Sequence, residues 1–123
     1  MTRVLIVDDE PSYRHYLERY LTRRGYEVRT ASSGREALAR GGDFDPDVVL
    51  ADWMLKDSMH GLEVGVALRE ARADRQILVM TGFPSAEIRE EASVARVFRF
   101  LEKPFGLAEV GAAIDQAAER IVR

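Results

Sequence analysis

Short apolar runs alternate along this chain with longer segments in which apolar residues recur every three or four positions. The runs at 4–7 and 77–80 are unbroken and apolar, which is typical of strands buried on both faces. The intervening segments have the spacing of amphipathic helices. The pattern therefore predicts five strands and five helices in alternation. The predicted strands are residues 4–7, 26–31, 47–52, 76–80 and 97–101.

Local sequence signals mark the ends of the first two predicted helices. Pro11, preceded by acidic residues, favours a helix start, and Gly25 favours a helix end. Tyr13 and the two further tyrosines of this helix are interpreted as core or helix-surface residues rather than as a platform for stacking bases. One of the serines at 32–33 is expected to cap the second helix, and the glycine pair at 41–42 is expected to stop it.

The other three predicted helices differ in amphipathic strength. Gly61 opens the third after a loop over residues 53–60. The fourth, residues 85–95, has few apolar positions, whereas the fifth, residues 106–122, has a clear apolar stripe. Little burial is therefore expected to hold the fourth helix in place, so it is suited to shifting.

The alternation implies an α/β fold in which helices cover both faces of a doubly wound parallel sheet through right-handed crossovers. The length fits one domain, expected to span residues 1–123. In such sheets ligands bind beyond the carboxyl ends of the strands. The residues that follow each strand are therefore the first candidates for a functional site.

Four of the predicted strands end abruptly on polar residues. The first runs into Asp8 and Asp9, the third ends on Asp52, the fourth runs into Thr81, and the fifth runs on towards Lys103. A carboxylate at the end of a buried strand is costly unless something there uses it. If the strands are parallel, all of these side chains lie at the same edge of the sheet.

This group of side chains favours phosphoryl chemistry. Two carboxylates about 4 Å apart repel by roughly 4 kcal/mol at an effective dielectric constant of about 20, which protonation or a bound cation relieves. Oxygen ligands without histidine or cysteine favour a hard cation, Mg²⁺ before Ca²⁺. The Lys103 ammonium and the Thr81 hydroxyl complete a phosphoryl-binding arrangement. Asp52 is the predicted phosphoryl acceptor because it lies on the central strand.

Each of these residues also has a plainer interpretation. Asp8 and Asp9 can be helix-capping acids, Thr81 a turn residue, Lys103 a solvated loop residue, and Asp52 a cap for the next turn. Their joint occurrence at strand ends, within one alternating pattern, favours a shared site instead.

Composition narrows the function. The net charge of −3 offers no electrostatic reason to expect nucleic-acid binding. The chain lacks cysteine, so disulfides and thiolate metal sites are excluded. No apolar run reaches the roughly 20 residues of a membrane span and no signal peptide is recognisable, so the expected location is the cytoplasm, with no membrane partner.

Over almost its whole length the chain resembles the receiver domain of two-component response regulators, the CheY-like family. The pieces that carry the resemblance are Val4-Leu5-Ile6-Val7-Asp8-Asp9-Glu10, the spaced residues Arg14, Leu17, Leu21, Gly25, Tyr26 and Val28, then Asp52, Gly61, Thr81-Gly82 and Phe100-Leu101-Glu102-Lys103-Pro104-Phe105. The resemblance implies the flavodoxin-like strand order 2-1-3-4-5 already known for CheY. It also implies signalling rather than enzymatic catalysis as the function.

The resemblance implies roles for the phosphoryl-binding residues. Asp52 accepts a phosphoryl group from a histidine kinase or a histidine phosphotransfer protein, and Lys103 and Thr81 hold the phosphoryl oxygens. Thr81 is then drawn inward and Phe100, the aromatic switch residue, fills the space it leaves. The switch is thus expected to shift the population of two surface states.

The implied metal site uses oxygen ligands only. Asp9, Asp52 and the backbone carbonyl of Met54 ligate Mg²⁺, and Asp8 contributes through a water molecule. This is the same class of cation that the carboxylate cluster favours on its chemistry alone.

The implied partners use two surfaces. The start of the first helix, Pro11 to Leu17, docks the kinase together with loops at the active edge. The surface built from residues 85–123 carries the signal to a downstream protein target. The expected state is a monomer or a weak homodimer.

Three departures from the family pattern matter. Lys56 stands where the family usually has proline, in a loop that is one residue longer than usual. Phe100 replaces the commoner tyrosine, so no switch hydroxyl is available. Met54 and Phe83, two residues beyond Asp52 and the threonine, are apolar and cannot orient an attacking water, so self-dephosphorylation is expected to be slow.

Other functions remain open at this level. The leading interpretation is a stand-alone phosphoacceptor relay, and the main alternative is a pseudo-receiver that works without phosphorylation. A phosphatase with an aspartyl nucleophile needs an acid where Met54 stands. A flavin-binding domain is disfavoured by the acidic loop after the first strand. The chain could also be the receiver part of a longer regulator or hybrid kinase.

Overall fold

The computed structural model describes residues 1–57 and 59–121 and has the predicted alternation of strands and helices. The strands are β1 (Arg3–Val7), β2 (Glu27–Ala31), β3 (Val48–Asp52), β4 (Gln76–Thr81) and β5 (Arg99–Glu102). The helices are α1 (Pro11–Arg23), α2 (Gly34–Phe44), α3 (Gly61–Ala71), α4 (Ala86–Val94) and α5 (Leu107–Ala118). The fold class is confirmed.

All five strands are parallel and lie in the order β2-β1-β3-β4-β5, as the resemblance implied. Alternate residues of the inner strands face opposite layers, so Leu50 packs with α1 and α5, whereas Val49 packs with α2, α3 and α4. Both layers are fully buried at the central strand. The strand β3 therefore places its last residue, Asp52, in the middle of the carboxyl edge.

The end of α1 follows the predicted chemistry at Gly25. This glycine has φ 102° and donates its amide to the carbonyl of Thr22, while the next amide, of Tyr26, reaches back to Leu21. These two bonds form a Schellman motif, in which the left-handed residue favours glycine.

The prediction that the glycine pair at 41–42 stops α2 is wrong. The helix continues to Phe44, and the left-handed residue that ends it is Asp45, with φ 52°. Gly41 serves packing instead, because a Cβ atom there would lie 2.3 Å from a methyl carbon of Leu68 on α3. The missing side chain lets α2 and α3 approach closely.

Smaller differences concern element ends, where strand and helix limits are least fixed by pattern. The strand β5 begins at Arg99, two residues later than predicted, and α5 spans Leu107–Ala118 rather than residues 106–122. Val122 lies outside the described residues. Ser33, of the two candidate serines, caps α2 by accepting the amide of Glu36 at 3.1 Å.

Candidate functional site

The parallel register brings the polar strand ends to one edge, as the alternation predicts. Asp8 follows β1 directly, beside the end of β3 at Asp52. Thr81 ends β4 opposite Glu102, and the next amide along β5, of Lys103, donates to the Thr81 carbonyl at 2.8 Å. Residues that are far apart in the chain therefore share one rim.

One ammonium group joins two buried carboxylates at this rim. The Lys103 Nζ donates to Asp8 Oδ2 at 3.0 Å and to Asp52 Oδ2 at 3.3 Å. Asp8 is fully buried and Asp52 is 8% exposed. Charge-assisted contacts of this kind are stronger than neutral hydrogen bonds. The arrangement places the Lys103 ammonium within hydrogen-bond distance of the predicted phosphoryl acceptor.

The carboxylates outnumber the lysine. Oxygen atoms of Asp8, Asp9 and Asp52 lie within 4.8 Å of one another. A second oxygen of Asp8 accepts the amide of Glu10 at 2.9 Å, whereas the Asp9 side chain is only partly buried and has no hydrogen-bond partner among the residues that the structure describes. This all-oxygen donor set fits a hard divalent cation such as Mg²⁺.

Burial is the main influence on the ionisation of Asp52. It raises the pKa of the Asp52 carboxyl above its ordinary range, and the charge of Asp8 raises it further, while Lys103 acts in the opposite direction. The lysine outweighs the repulsion from Asp8, so the pKa stays raised because the Asp52 charge is buried away from water. A cation at the rim would remove the remaining cost.

The side chains of Thr81 and Phe100 are not among the contacts of the Lys103 ammonium in the described residues. The Thr81 side chain is buried, and its hydroxyl accepts the amide of Phe83 at 3.1 Å. The Phe100 ring is half-buried against the layer of α3 and α4, and the Arg89 guanidinium lies over it at 4.9 Å. Arg89 also pairs with Glu102. The switch aromatic is therefore in contact with the weak helix α4.

The loop after Asp52 is held by contacts that the sequence reading did not find. Asp57 accepts the amides of Gly34 at 3.2 Å and Arg35 at 3.0 Å, at the N-terminus of α2, where a carboxylate is favoured. Trp53 stacks on His60, with 4.9 Å between ring centroids. Lys56, which replaces the usual proline, thus stands in a loop anchored on both sides.

His60 is a structural residue at the start of α3. Its amide donates to Glu63 at 3.2 Å. Gly61 follows, and a Cβ atom there would lie 2.2 Å from the Asp52 carbonyl oxygen. The predicted start of the third helix at Gly61 is confirmed, although histidine is not among the common N-cap residues.

The apolar residues two positions beyond the acceptor and the threonine are both exposed. Met54 is 56% exposed and Phe83 is 78% exposed. The Met54 amide donates to Asp52 Oδ1 at 3.4 Å, which places residue 54 beside the carboxylate. The role of the Met54 carbonyl as a metal ligand stays a prediction.

Tyr13 is a site neighbour that sequence reasoning placed in the core or on the helix surface. It is half-buried in the first turn of α1, and its ring centroid lies 4.3 Å from Lys103 Nζ. Burial raises the pKa of Tyr13 to about 12, with Asp8 and Asp52 adding to the effect, so its phenol is neutral. No signal in the sequence connects this ring to a lysine ninety residues away.

Comparisons with known proteins agree with this geometry. A sequence model of the response regulator receiver domain matches residues 4–115. The transcriptional regulatory protein KdpE of Mycobacterium tuberculosis is 37% identical over 120 residues, which cover 98% of this chain and 52% of KdpE. The chain spans about half or less of the length of the curated relatives that it matches.

Solved structures show the same architecture. A CheY-like receiver domain protein from Methanospirillum hungatei JF-1 matches with a TM-score of 0.90 and 26% identity, covering 98% of this chain and 96% of the other. The response regulator TrrA from Thermotoga maritima, solved with Mg²⁺ and BeF, matches with a TM-score of 0.83 and 31% identity over 95% of this chain and 99% of that one.

No helix in the described parts of the chain is long and apolar enough to cross a membrane. The family match covers nearly all of the described residues, including every strand apart from Arg3 at the start of β1, and it includes Asp8, Asp9 and Asp52. The relative MprA of Mycolicibacterium vanbaalenii is named a response regulator, and the structure from Methanospirillum hungatei JF-1 is named a response regulator receiver domain protein. The chain therefore belongs to the receiver domains of two-component response regulators.

Proposed function

We propose that Asp52 accepts a phosphoryl group from a histidine kinase or a histidine phosphotransfer protein. An Asp52 oxygen forms the new P–O bond as the P–N bond of the donor histidine breaks. The observation that carries this is the Lys103 ammonium, which lies within 3.3 Å of Asp52 Oδ2 and supplies positive charge beside the entering group. A pseudo-receiver has no use for this costly charge arrangement.

The carboxylate rim supports a role for Mg²⁺. Asp9 and Asp52, with the Met54 carbonyl and with Asp8 through water, are the proposed ligands. The bound ion supplies charge neutralisation for the carboxylates and the phosphoryl oxygens. Asp8 suits the outer position because its own oxygens already accept from Lys103 and from the Glu10 amide.

The switch proposal concerns Thr81 and Phe100. The phosphoryl oxygens offer the Thr81 hydroxyl a new acceptor, so the hydroxyl moves away from the Phe83 amide that now donates to it. Phe100 then moves into the space left behind. Helix α4 shifts together with Phe100, because Ala92 is its one buried residue and little packing holds the helix in place. The surface of residues 85–123 is proposed to present this change to a protein target.

The fluorescence of Trp53 offers a direct test. This residue is the one tryptophan of the chain, is 5% exposed and adjoins Asp52. Addition of Mg²⁺, followed by beryllofluoride or acetyl phosphate, should change its emission. Asp52→Asn should lose the second change, and Asp47→Asn, at the opposite edge, should keep it. The same response in wild type and Asp52→Asn would contradict the assignment of Asp52.

The phosphorylated protein is expected to lose its phosphoryl group slowly. Neither Met54 nor Phe83 can orient a water molecule, although both are exposed beside the rim. Met54→Asn, which offers a polar group at that position, should speed the loss by roughly tenfold. Rapid decay of the purified wild-type aspartyl phosphate, in the absence of any phosphatase, would count against this proposal.

The remaining expectations stay predictions. Kinase docking on Pro11 to Leu17, a cytoplasmic location, a monomer or weak homodimer, and the lack of a nucleic-acid partner follow from the sequence and the resemblance. The relative KdpE is named a transcriptional regulatory protein, and this chain covers 52% of it. The activity and partners of any longer protein are therefore separate proposals.

A further inference from the structure

The Lys103 ammonium has a third neighbour besides the two aspartates. The Tyr13 ring centroid lies 4.3 Å from Nζ, within the range of a cation–π contact. Phe105, two residues after the lysine, meets the Tyr13 ring edge-on, with centroids 5.9 Å apart and an angle of 75° between planes. The start of α1 and the segment after β5 are thus joined by these rings next to the site.

The backbone fixes where the Tyr13 ring lies. Pro11 opens α1 directly after the acidic residues 8–10, so Tyr13 is in the first turn of the helix. The Tyr13 side chain is half-buried and packs on the core layer of α1 and α5. Such a ring loses little freedom when a cation lies over it, because its packing already fixes its position.

The three contacts of Lys103 differ in what they depend on. The attraction to Asp8 and Asp52 depends on the negative charge of those carboxylates, and it weakens when a bound cation shares them. The attraction to the ring depends on the quadrupole of the aromatic system, which the bound cation leaves unchanged. Lysine has a flexible stem with several rotatable bonds, so a lasting contact is needed to hold its head in place.

We propose that Tyr13 is a positioning residue for phosphoryl transfer, whose ring holds the Lys103 ammonium over Asp52 when the carboxylates no longer do. This inference rests on the proposed function, since it requires Lys103 to bind phosphoryl oxygens. The hydroxyl of Tyr13 plays no part, so phenylalanine should serve equally well at this position.

A purely structural role for Tyr13 makes different predictions. The matched control is Tyr20, which is also half-buried on α1 and packs on the same core layer. Tyr20 lies instead beside Arg24 and Gly111. Replacing either tyrosine by leucine removes similar core packing, but only Tyr13→Leu removes the aromatic face from Lys103.

The first measurement is beryllofluoride affinity in the presence of Mg²⁺, followed by Trp53 fluorescence. Tyr13→Leu should weaken binding by about three- to tenfold. Tyr13→Phe and Tyr20→Leu should bind within twofold of wild type. Equal affinities for Tyr13→Leu and Tyr20→Leu, or a loss in Tyr13→Phe as large as in Tyr13→Leu, would overturn the proposal.

The second measurement needs no variant that has to fold. In the NMR spectrum of the wild-type protein, the ε-methylene protons of Lys103 should be shifted upfield by the ring current of Tyr13. The upfield shift should persist when Mg²⁺ and then beryllofluoride are added. If the upfield shift disappeared when Mg²⁺ or beryllofluoride was added, the Tyr13 ring would no longer contact Lys103, and the proposal would be overturned.

The failure of the proposed function is distinguishable from the failure of this inference. If Lys103→Ala and Asp52→Asn bind beryllofluoride as wild type does, the site itself is wrongly assigned. If both variants lose beryllofluoride binding while Tyr13→Leu and Tyr20→Leu bind it with equal affinity, the site is correctly assigned and the positioning role of Tyr13 is wrong.

Discussion

At the amino edge of the sheet, Asp47 is 6% exposed and its carboxylate accepts from Arg72 at 2.7 Å and from the Arg3 amide at 2.8 Å. At the carboxyl edge, Asp52 is 8% exposed and shares the single ammonium of Lys103 with a second buried aspartate. Asp47 directly precedes β3 and Asp52 ends it, and the two are buried to a similar degree. They differ in how their charge is matched.

At the amino edge, the positive and negative side-chain charges are nearly balanced. Arg72 contacts Asp45, Asp47 and Asp74, and the buried Arg75 donates to Asp45 and to the Pro46 carbonyl at 2.6 Å each. At the carboxyl edge, among the described residues, Lys103 pairs with two of three carboxylates, and Arg14 donates to the Asp8 backbone carbonyl rather than to a carboxylate. Burial alone therefore does not separate a functional aspartate from a structural one. The way the charge is matched does set the two aspartates apart, and it fits the proposed role of Asp52, because a bound ligand can relieve an unmatched charge.

The largest expected effect concerns the buried Arg75 and the partly buried Lys103. Arg75→Met leaves the Pro46 and Leu68 carbonyls without their donor and should cost about 3 kcal/mol of unfolding free energy. Lys103→Met, on the edge built for a ligand, should cost about 1 kcal/mol, since Asp52 can take up a proton. Urea unfolding of both variants, free of metal, measures this. Equal costs would remove the distinction between the edges.

Opposite signs are expected for the two matched aspartates. Asp47→Asn weakens the pair with Arg72 and should destabilise the protein by about 2 kcal/mol. Asp52→Asn removes a charge whose burial, and secondly whose repulsion from Asp8, opposes folding, and it should stabilise the metal-free protein by about 1 kcal/mol. Thermal unfolding in a chelator compares them. Destabilisation by both substitutions would mean that the carboxyl edge carries no unrelieved charge.

Added Mg²⁺ should affect one edge only. At ten times its dissociation constant, Mg²⁺ should stabilise wild type and Asp47→Asn by about 1.4 kcal/mol, because it binds the folded state alone. Asp52→Asn, with one ligand fewer, should gain less at the same concentration. Thermal shifts over a Mg²⁺ titration, with NaCl at equal ionic strength as the control, make the comparison. An equal gain in all three proteins would place the ion elsewhere.

The smallest expected effect is a pH dependence with a defined sign. The folded-state pKa of Asp52 lies above its ordinary value of 3.8, so the folded protein holds this proton to higher pH than the unfolded chain does. The resulting stabilisation is full below pH 3.8 and is lost as pH rises through the folded-state pKa. The advantage of metal-free Asp52→Asn over wild type at neutral pH should therefore shrink on acidification. An advantage that grew on acidification would reverse this sign.

The fold was largely predictable because its signals are local and repeated. Runs of aliphatic residues, a proline at the start of α1 and Gly25 at its end each specify structure over a few residues. The error at Gly41 has a physical cause, since a glycine that makes room for Leu68 cannot be told from a helix-ending glycine by sequence alone. The distinction depends on a neighbour 27 residues away.

The carboxylate rim was predictable for the same reason that the sheet was. Parallel strands carry the residues after each strand to one edge, so Asp8, Asp52 and Lys103 follow from the alternation. Tyr13 and Asp57 did not follow, because their contacts join segments whose packing no local pattern encodes. The side chains that hold the site in shape were therefore harder to find than those that form it.

The most direct test of the unbalanced edge is to map the phosphoryl group itself. The protein is incubated with Mg²⁺ and acetyl phosphate, and mass spectrometry locates the modification before and after hydroxylamine treatment. The account predicts one hydroxylamine-labile phosphoryl group on Asp52, which is present in Asp47→Asn and absent in Asp52→Asn. A label at another residue, or an unlabelled Asp52 in the wild-type protein, would contradict it.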